Sequence, residues 1–118
     1  MKFLMTYEQK PNAAPPTPEK MAAIGAFAEA HMKSGALIMT GGLQRPTKGT
    51  KVKIASGDFT VTDGPFAETK ELIDGFALIE VKSREEAVDM ARKFMTIAGD
   101  GEGEILAVYN NGEGQPPR

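Results

Sequence analysis

Cysteine is absent from the 118 residues, which excludes disulfides, thiol catalysis and thiolate metal sites. Histidine occurs once, as His31, which argues against a transition-metal site built by a single chain. No apolar run approaches the roughly 20 residues that a membrane-spanning helix needs. The N-terminus lacks the charged start, long apolar middle and small-residue cleavage site of a signal peptide. A cytoplasmic protein without a membrane partner is therefore expected. Charge of one sign is scarce too: a net charge of -2 provides no concentrated basic face for nucleic acid. Lys48, Lys51 and Lys53 form the one notable basic cluster, and their alternation with Thr50 and Val52 reads as the wet side of a strand. With no flavin fingerprint, metal cluster or thiol nucleophile, no cofactor is expected.

What is present is ordinary for a globular domain: 41% hydrophobic and 25% charged residues, enough for one core without staples. The expected organisation is one domain over residues 1–110 and a flexible Gly/Pro-rich tail over 111–118.

Residues 2–7 alternate as a first strand, with Phe3, Met5 and Tyr7 on one face. Three prolines within 9–16 mark a loop. Thr17-Pro18-Glu19 then supplies a cap, a proline at the first helical position and an acid in the first turn. Met21, Ile24, Ala28 and His31 recur at helical spacing, flanked by Phe27, until Gly35. A strand over 36–40 ends at Gly41-Gly42. Residues 50–55 alternate, with Val52 and Ile54 expected to face inwards and Lys51 and Lys53 outwards. Ser56-Gly57-Asp58 is a hairpin turn, and 59–62 returns. After a charged loop, 75–81 is the most apolar strand. Ser83-Arg84-Glu85-Glu86 is a capping box opening a helix whose buried stripe is Ala87, Met90, Ala91, Phe94 and Ile97 or Ala98. Gly99 ends that helix, and 104–109 is the last strand. Asp100, Glu102 and Glu104, alternating with Gly, read as a flexible acidic turn.

The order predicts an α+β fold: ferredoxin-like βαββαβ with an inserted β-hairpin, an antiparallel sheet with two helices on one face. Two helices cover only one side of such a sheet. Yet Phe76 and Leu78 oppose Ala77, Ile79 and Val81, Leu106 and Val108 oppose Ile105, Ala107 and Tyr109, and Leu37 and Met39 are expected to oppose Ala36 and Ile38. Large side chains are left for the open face, at roughly 1.5–3 kcal/mol each when buried. A homodimer through that open sheet face is the expected solution.

The loop carries Asp63-Gly64-Pro65-Phe66-Ala67-Glu68-Thr69-Lys70-Glu71, followed by Gly75-Phe76. With Ser34-Gly35-Ala36-Leu37, Gly42-Leu43 and the helix start Ser83-Arg84-Glu85-Glu86-Ala87, it resembles the DGPF branch of the YCII-related proteins. The resemblance covers the chain from the first strand to about Tyr109. It implies a ferredoxin-like fold of the dimeric α/β-barrel type. Most of the family is uncharacterised, some relatives are suspected or known small-molecule enzymes, and some DGPF proteins are associated with extracytoplasmic-function sigma factors. In YCII-type relatives a His early in the first helix, with an Asp, is regarded as the active site. Here residues 20–24 contain no His, and His31 comes two to three turns later.

Two residues are candidates for acid-base chemistry. His31 falls on the inward helical face and suits proton transfer, or is an edge histidine satisfied by a backbone carbonyl. Asp63 is a base or an orienting partner for His31, or a carboxylate that fixes its own turn. Glu68 and Lys70, with Glu71, form a polar wall for a ligand or a solvated loop, Lys70 being the anion binder. Phe66 stacks on a ligand or pins the loop to the core. Arg45, with Gly41-Gly42, is an alternative charge stabiliser for an anion or a plain loop residue, since no helix start follows to complete a phosphate cradle. The expected function is binding of a small organic molecule in a pocket between sheet and first helix, near the acidic loop, with proton transfer as the type of chemistry these residues could support. The competing expectation is a regulatory or protein-interaction module.

Overall fold

Phe3 and Met5 are buried while Leu4 between them is only partly so, the two-residue period of a strand covered on one face. They belong to β1 (Lys2–Gln9), the inner strand of an α+β chain seen in a computed structural model that describes residues 1–10, 14–43, 49–63 and 74–109. There follow α1 (Pro18–Ser34), β2 (Leu37–Gly42), β3 (Thr50–Ala55), β4 (Asp58–Asp63), β5 (Gly75–Glu80), α2 (Arg84–Ala98), β6 (Gly101–Glu102) and β7 (Ile105–Val108). In the main sheet β2 pairs β5, β5 pairs β1, and β1 pairs both β6 and β7, every pairing antiparallel.

Register decides what each face carries. Ala107, Phe3, Ile79 and Leu37 form one row across four strands. Phe3, Ile79 and Leu37 are buried in the core beneath Phe27, Ala28, Ala87 and Met90 of the helices. One residue along, Leu106, Leu4, Leu78 and Met39 make a second row on the opposite face, which no described helix covers. Met39 is 55% and Leu106 47% exposed. Leu37 and Met39 were expected to share a face. A register shift between them, with Ile38 as the extra residue, puts them on opposite ones.

The helix ends follow their local chemistry. Thr17 is extended and its Oγ1 accepts from the Lys20 amide at 3.1 Å. Gly35 closes α1 at φ 86°, a left-handed conformation that glycine adopts without strain. Ser83 Oγ accepts from the Glu86 amide at 3.2 Å, but Glu86 reaches back to the Lys82 amide, one residue before the cap. The capping box is thus only half closed.

Within the acidic turn expected after α2, Gly101–Glu102 form a short strand. β6 and β7 lie end to end along β1 in one continuous register, Glu8 opposite Glu102 and Met5 opposite Ile105. Thr6 donates to the Glu104 carbonyl at 2.9 Å and accepts the Glu104 amide on its hydroxyl at 3.1 Å. A Cβ at Gly101 or Gly103 would run into the Glu8 or Thr6 carbonyl, so these glycines let the edge approach.

β3 and β4 form a separate two-stranded hairpin. Ser56 and Gly57 both take positive φ, 49° and 85°, as a two-residue primed turn requires. Pairing of Val52 with Val61 and Ile54 with Phe59 gathers four apolar side chains on one face. The inward orientation expected for Val52 and Ile54 is not found: all four are 57–71% exposed. Alternation sorted the faces correctly, but among the described residues no other element lies over this one.

Candidate functional site

Helix α1 has a polar-to-apolar pattern yet buries none of its residues fully. It stands over the sheet with a hollow beneath it of about 790 Å³, in the size range of small-molecule sites. Its walls are mostly apolar: Met5, Ile24, Phe27, Leu37, Phe94 and Ile105 among them. Gly25, midway along α1, also lines it, and a Cβ placed there would meet nothing within 4 Å. Glycine inside a helix costs about 1 kcal/mol relative to alanine. Among the described residues no packing contact at Gly25 requires that loss, and the space beside it is open.

One end of the hollow is polar. Tyr7, at the inward position that the strand period gives it, donates its hydroxyl to the Gly99 carbonyl at 3.0 Å, with the Asp100 carbonyl at 3.2 Å. Its ring meets Phe94 edge-on at 5.4 Å. Burial first, then the charges of Asp74 and Asp100, raise the Tyr7 phenol above the ordinary tyrosine value. It is therefore a neutral donor. The ammonium of Lys20, in the first turn of α1, reaches the same corner, 3.2 Å from where a Gly99 Cβ would stand. Asp74 closes the third side. Its carboxylate accepts the Gln9 amide at 2.6 Å, its own amide donates to the Tyr7 carbonyl, and its carbonyl accepts the Leu43 amide, both at 2.8 Å. It joins the ends of β1, β2 and β5 at the cavity rim.

A phenol, an ammonium and a carboxylate at the end of an apolar hollow can hold the polar head of a molecule whose body fills the rest. The arrangement offers both donors and acceptors without committing to one charge. Among the described residues no group of three or more His, Asp or Glu gathers as a metal site.

The residues singled out by sequence are placed elsewhere. Asp63 ends β4 and its Oδ1 accepts the Thr50 hydroxyl at 2.9 Å across the base of the hairpin. His31 lies near the other end of α1, its Nδ1 2.8 Å from the Phe27 carbonyl, so that nitrogen carries the proton. Its ring rests on Phe27 at 4.1 Å and borders a second hollow with Val81, Glu85, Asp89 and Lys93. No hydrogen bond joins Asp63 to His31, and neither lines the large cavity. Arg45, Phe66, Glu68 and Lys70 fall outside the described residues.

Lys20, Asp74 and the role of Tyr7 carry no motif in the sequence. The signal for Tyr7 was its place on the inward face, where a hydroxyl needs a partner. For Asp74 it was an acid directly before a glycine at a strand start, a turn signal of the same kind as Asp63-Gly64. Lys20 carried no signal beyond its position in the first turn.

Fold and cavity together define a small α+β domain hollow between its first helix and its sheet. The chain belongs to the YCII-related domain family, whose model matches residues 1–110. It is also 35% identical over 96 residues to an uncharacterized protein of Rhizobium meliloti (strain 1021), covering 79% of this chain and 77% of that one. No described helix is long and apolar enough to cross a membrane.

Proposed function

We propose that this chain binds a small amphipathic organic molecule in the cavity beneath α1, as a homodimer in the cytoplasm. The observation that carries the reading is the unfilled space beside Gly25, bounded by apolar walls and ended by Tyr7, Lys20 and Asp74. The apolar body would lie along α1 and the sheet, and the head would exchange hydrogen bonds with the phenol, ammonium and carboxylate. Acid-base chemistry in this cavity would fall to Asp74 and Lys20 beside the neutral Tyr7. A role for Asp63 or His31 would need a ligand at the hairpin base or in the second hollow.

The same proposal includes a ferredoxin-like topology of the dimeric α/β-barrel type and membership of the DGPF branch. Strand order β2, β5, β1, β7 and the row Leu106, Leu4, Leu78, Met39 on the uncovered face support the first, and Asp63-Gly64-Pro65-Phe66 the second. A non-catalytic interaction module is the second reading, favoured by the apolar surface outside the cavity. Thermal unfolding against a panel of small aromatic and alkyl alcohols, amides, amines and acids tests the first. A ligand that binds the native state raises the melting temperature with its concentration. Stabilisation lost in a Lys20→Ala and Asp74→Asn pair supports the cavity. A panel without a stabilising member favours the module.

A further inference from the structure

The β3–β4 hairpin is built like an exposed core. Val52, Ile54, Phe59 and Val61 stand together on one face, paired across the strands, and the opposite face carries Lys51, Lys53, Asp58, Thr60 and Thr62. A lone two-stranded hairpin is at best marginally stable in water, and its apolar side chains are normally spent on a partner surface. Its own sheet does not serve, since these four residues stay more than half exposed.

We infer that the hairpin is an arm whose apolar face seats on a second copy of this chain. The inference rests on the homodimer reading and says which element secures the pair. The chain carries the complementary surface itself. On the uncovered sheet face the most exposed apolar residues sit on the outermost strands, Ile38 and Met39 on β2, Leu106 and Val108 on β7. The inner residues Leu4 and Leu78 are already half-buried. Two sheets meeting at their centres leave those margins for an arm from the other copy. At roughly 100 Å² apiece, the four arm residues and four marginal ones offer about 800 Å² per chain, one partner's share of a standard interface. Because arm and receiving margin lie on one chain, a twofold axis satisfies both copies with a single kind of contact. A foreign partner would leave each surface needing separate cover.

The test uses the full chain and its dimer dissociation constant, measured by sedimentation equilibrium. Ile54→Lys with Phe59→Lys alters only exposed positions of the arm. It should weaken the dimer by roughly 100-fold or more, as loss of two buried anchors does. Thr60→Lys puts a charge on the polar face of the same arm and should leave the constant unchanged. Unchanged dimerisation in the double variant would overturn the arm while the dimer stands. So would equal weakening by Thr60→Lys, since the effect would then follow charge alone. A monomeric wild-type chain would overturn arm and dimer together. Cysteines are absent, so Val61→Cys carries the sole thiol and can report the seat independently. An environment-sensitive thiol dye there should move to an apolar signal as concentration rises through the dimer range, and a dye that stays wetted would contradict the proposal.

Discussion

Tyr7 and Gly99 lie 92 positions apart in sequence and are joined by a 3.0 Å hydrogen bond from the phenol to the carbonyl. That bond ties the middle of the sheet to the end of α2 and closes one end of the cavity. It also places the phenol where burial first, then the charges of Asp74 and Asp100, hold its proton on.

Tyr7→Phe keeps the ring against Phe94 and removes the hydroxyl. Urea unfolding should show a loss of about 0.5–1.5 kcal/mol, the usual net worth of such a bond. No loss would mean that water replaces the contact.

The same residue sets an alkaline limit. The folded state holds the phenolic proton more tightly than the unfolded chain, which releases it from about pH 10 upwards. The Tyr7 contribution is therefore complete below about pH 10 and is lost as pH rises through the raised folded value. Stability followed against pH should fall more steeply in the wild type than in Tyr7→Phe over that range. Parallel curves would contradict the burial of this group.

Glycines at 25 and 103 should respond in opposite directions. Gly25→Ala meets open space and should stabilise the chain by about 1 kcal/mol. Gly103→Ala drives a methyl group into the Thr6 carbonyl and should destabilise it or break the β1 edge, visible as lost amide protection at Thr6.

These contrasts show what the sequence could and could not disclose. The inward face of Phe3, Met5 and Tyr7 was legible because period-two alternation needs no tertiary information. The β2 irregularity at Ile38 was not, since an inserted residue leaves no trace in composition. Val52 and Ile54 show the limit of alternation: it assigns faces, but cover depends on what else folds nearby. Asp63 attracted attention through its motif, while Asp74, an acid before glycine like it, meets Tyr7 only through strand register. A hollow between sheet and first helix was expected with Asp63 and His31 at it, and neither of these lines the one found. Its polar end depends on contacts across 65 and 92 residues, beyond any local pattern.

On the uncovered face, Leu106→Asp places a charge in the row with Leu4 and Leu78. The residue is about half exposed, so the monomer should fold with little loss, whereas light scattering should report dissociation of the proposed dimer. A variant that keeps the wild-type mass at the same concentration would remove this face from the interface.

The cavity is tested most directly by Gly25→Leu, which adds a side chain to the hollow from a position where a Cβ meets no described atom within 4 Å. Amide NMR spectra of wild type and variant would be recorded with a mixture of small aromatic alcohols, amides and acids. Wild type should shift at Met5, Tyr7, Ile24, Ala28 and Phe94, and the variant should keep a folded spectrum with those shifts gone. Shifts that persist unchanged in Gly25→Leu, or a wild type silent at all five positions, would contradict the account.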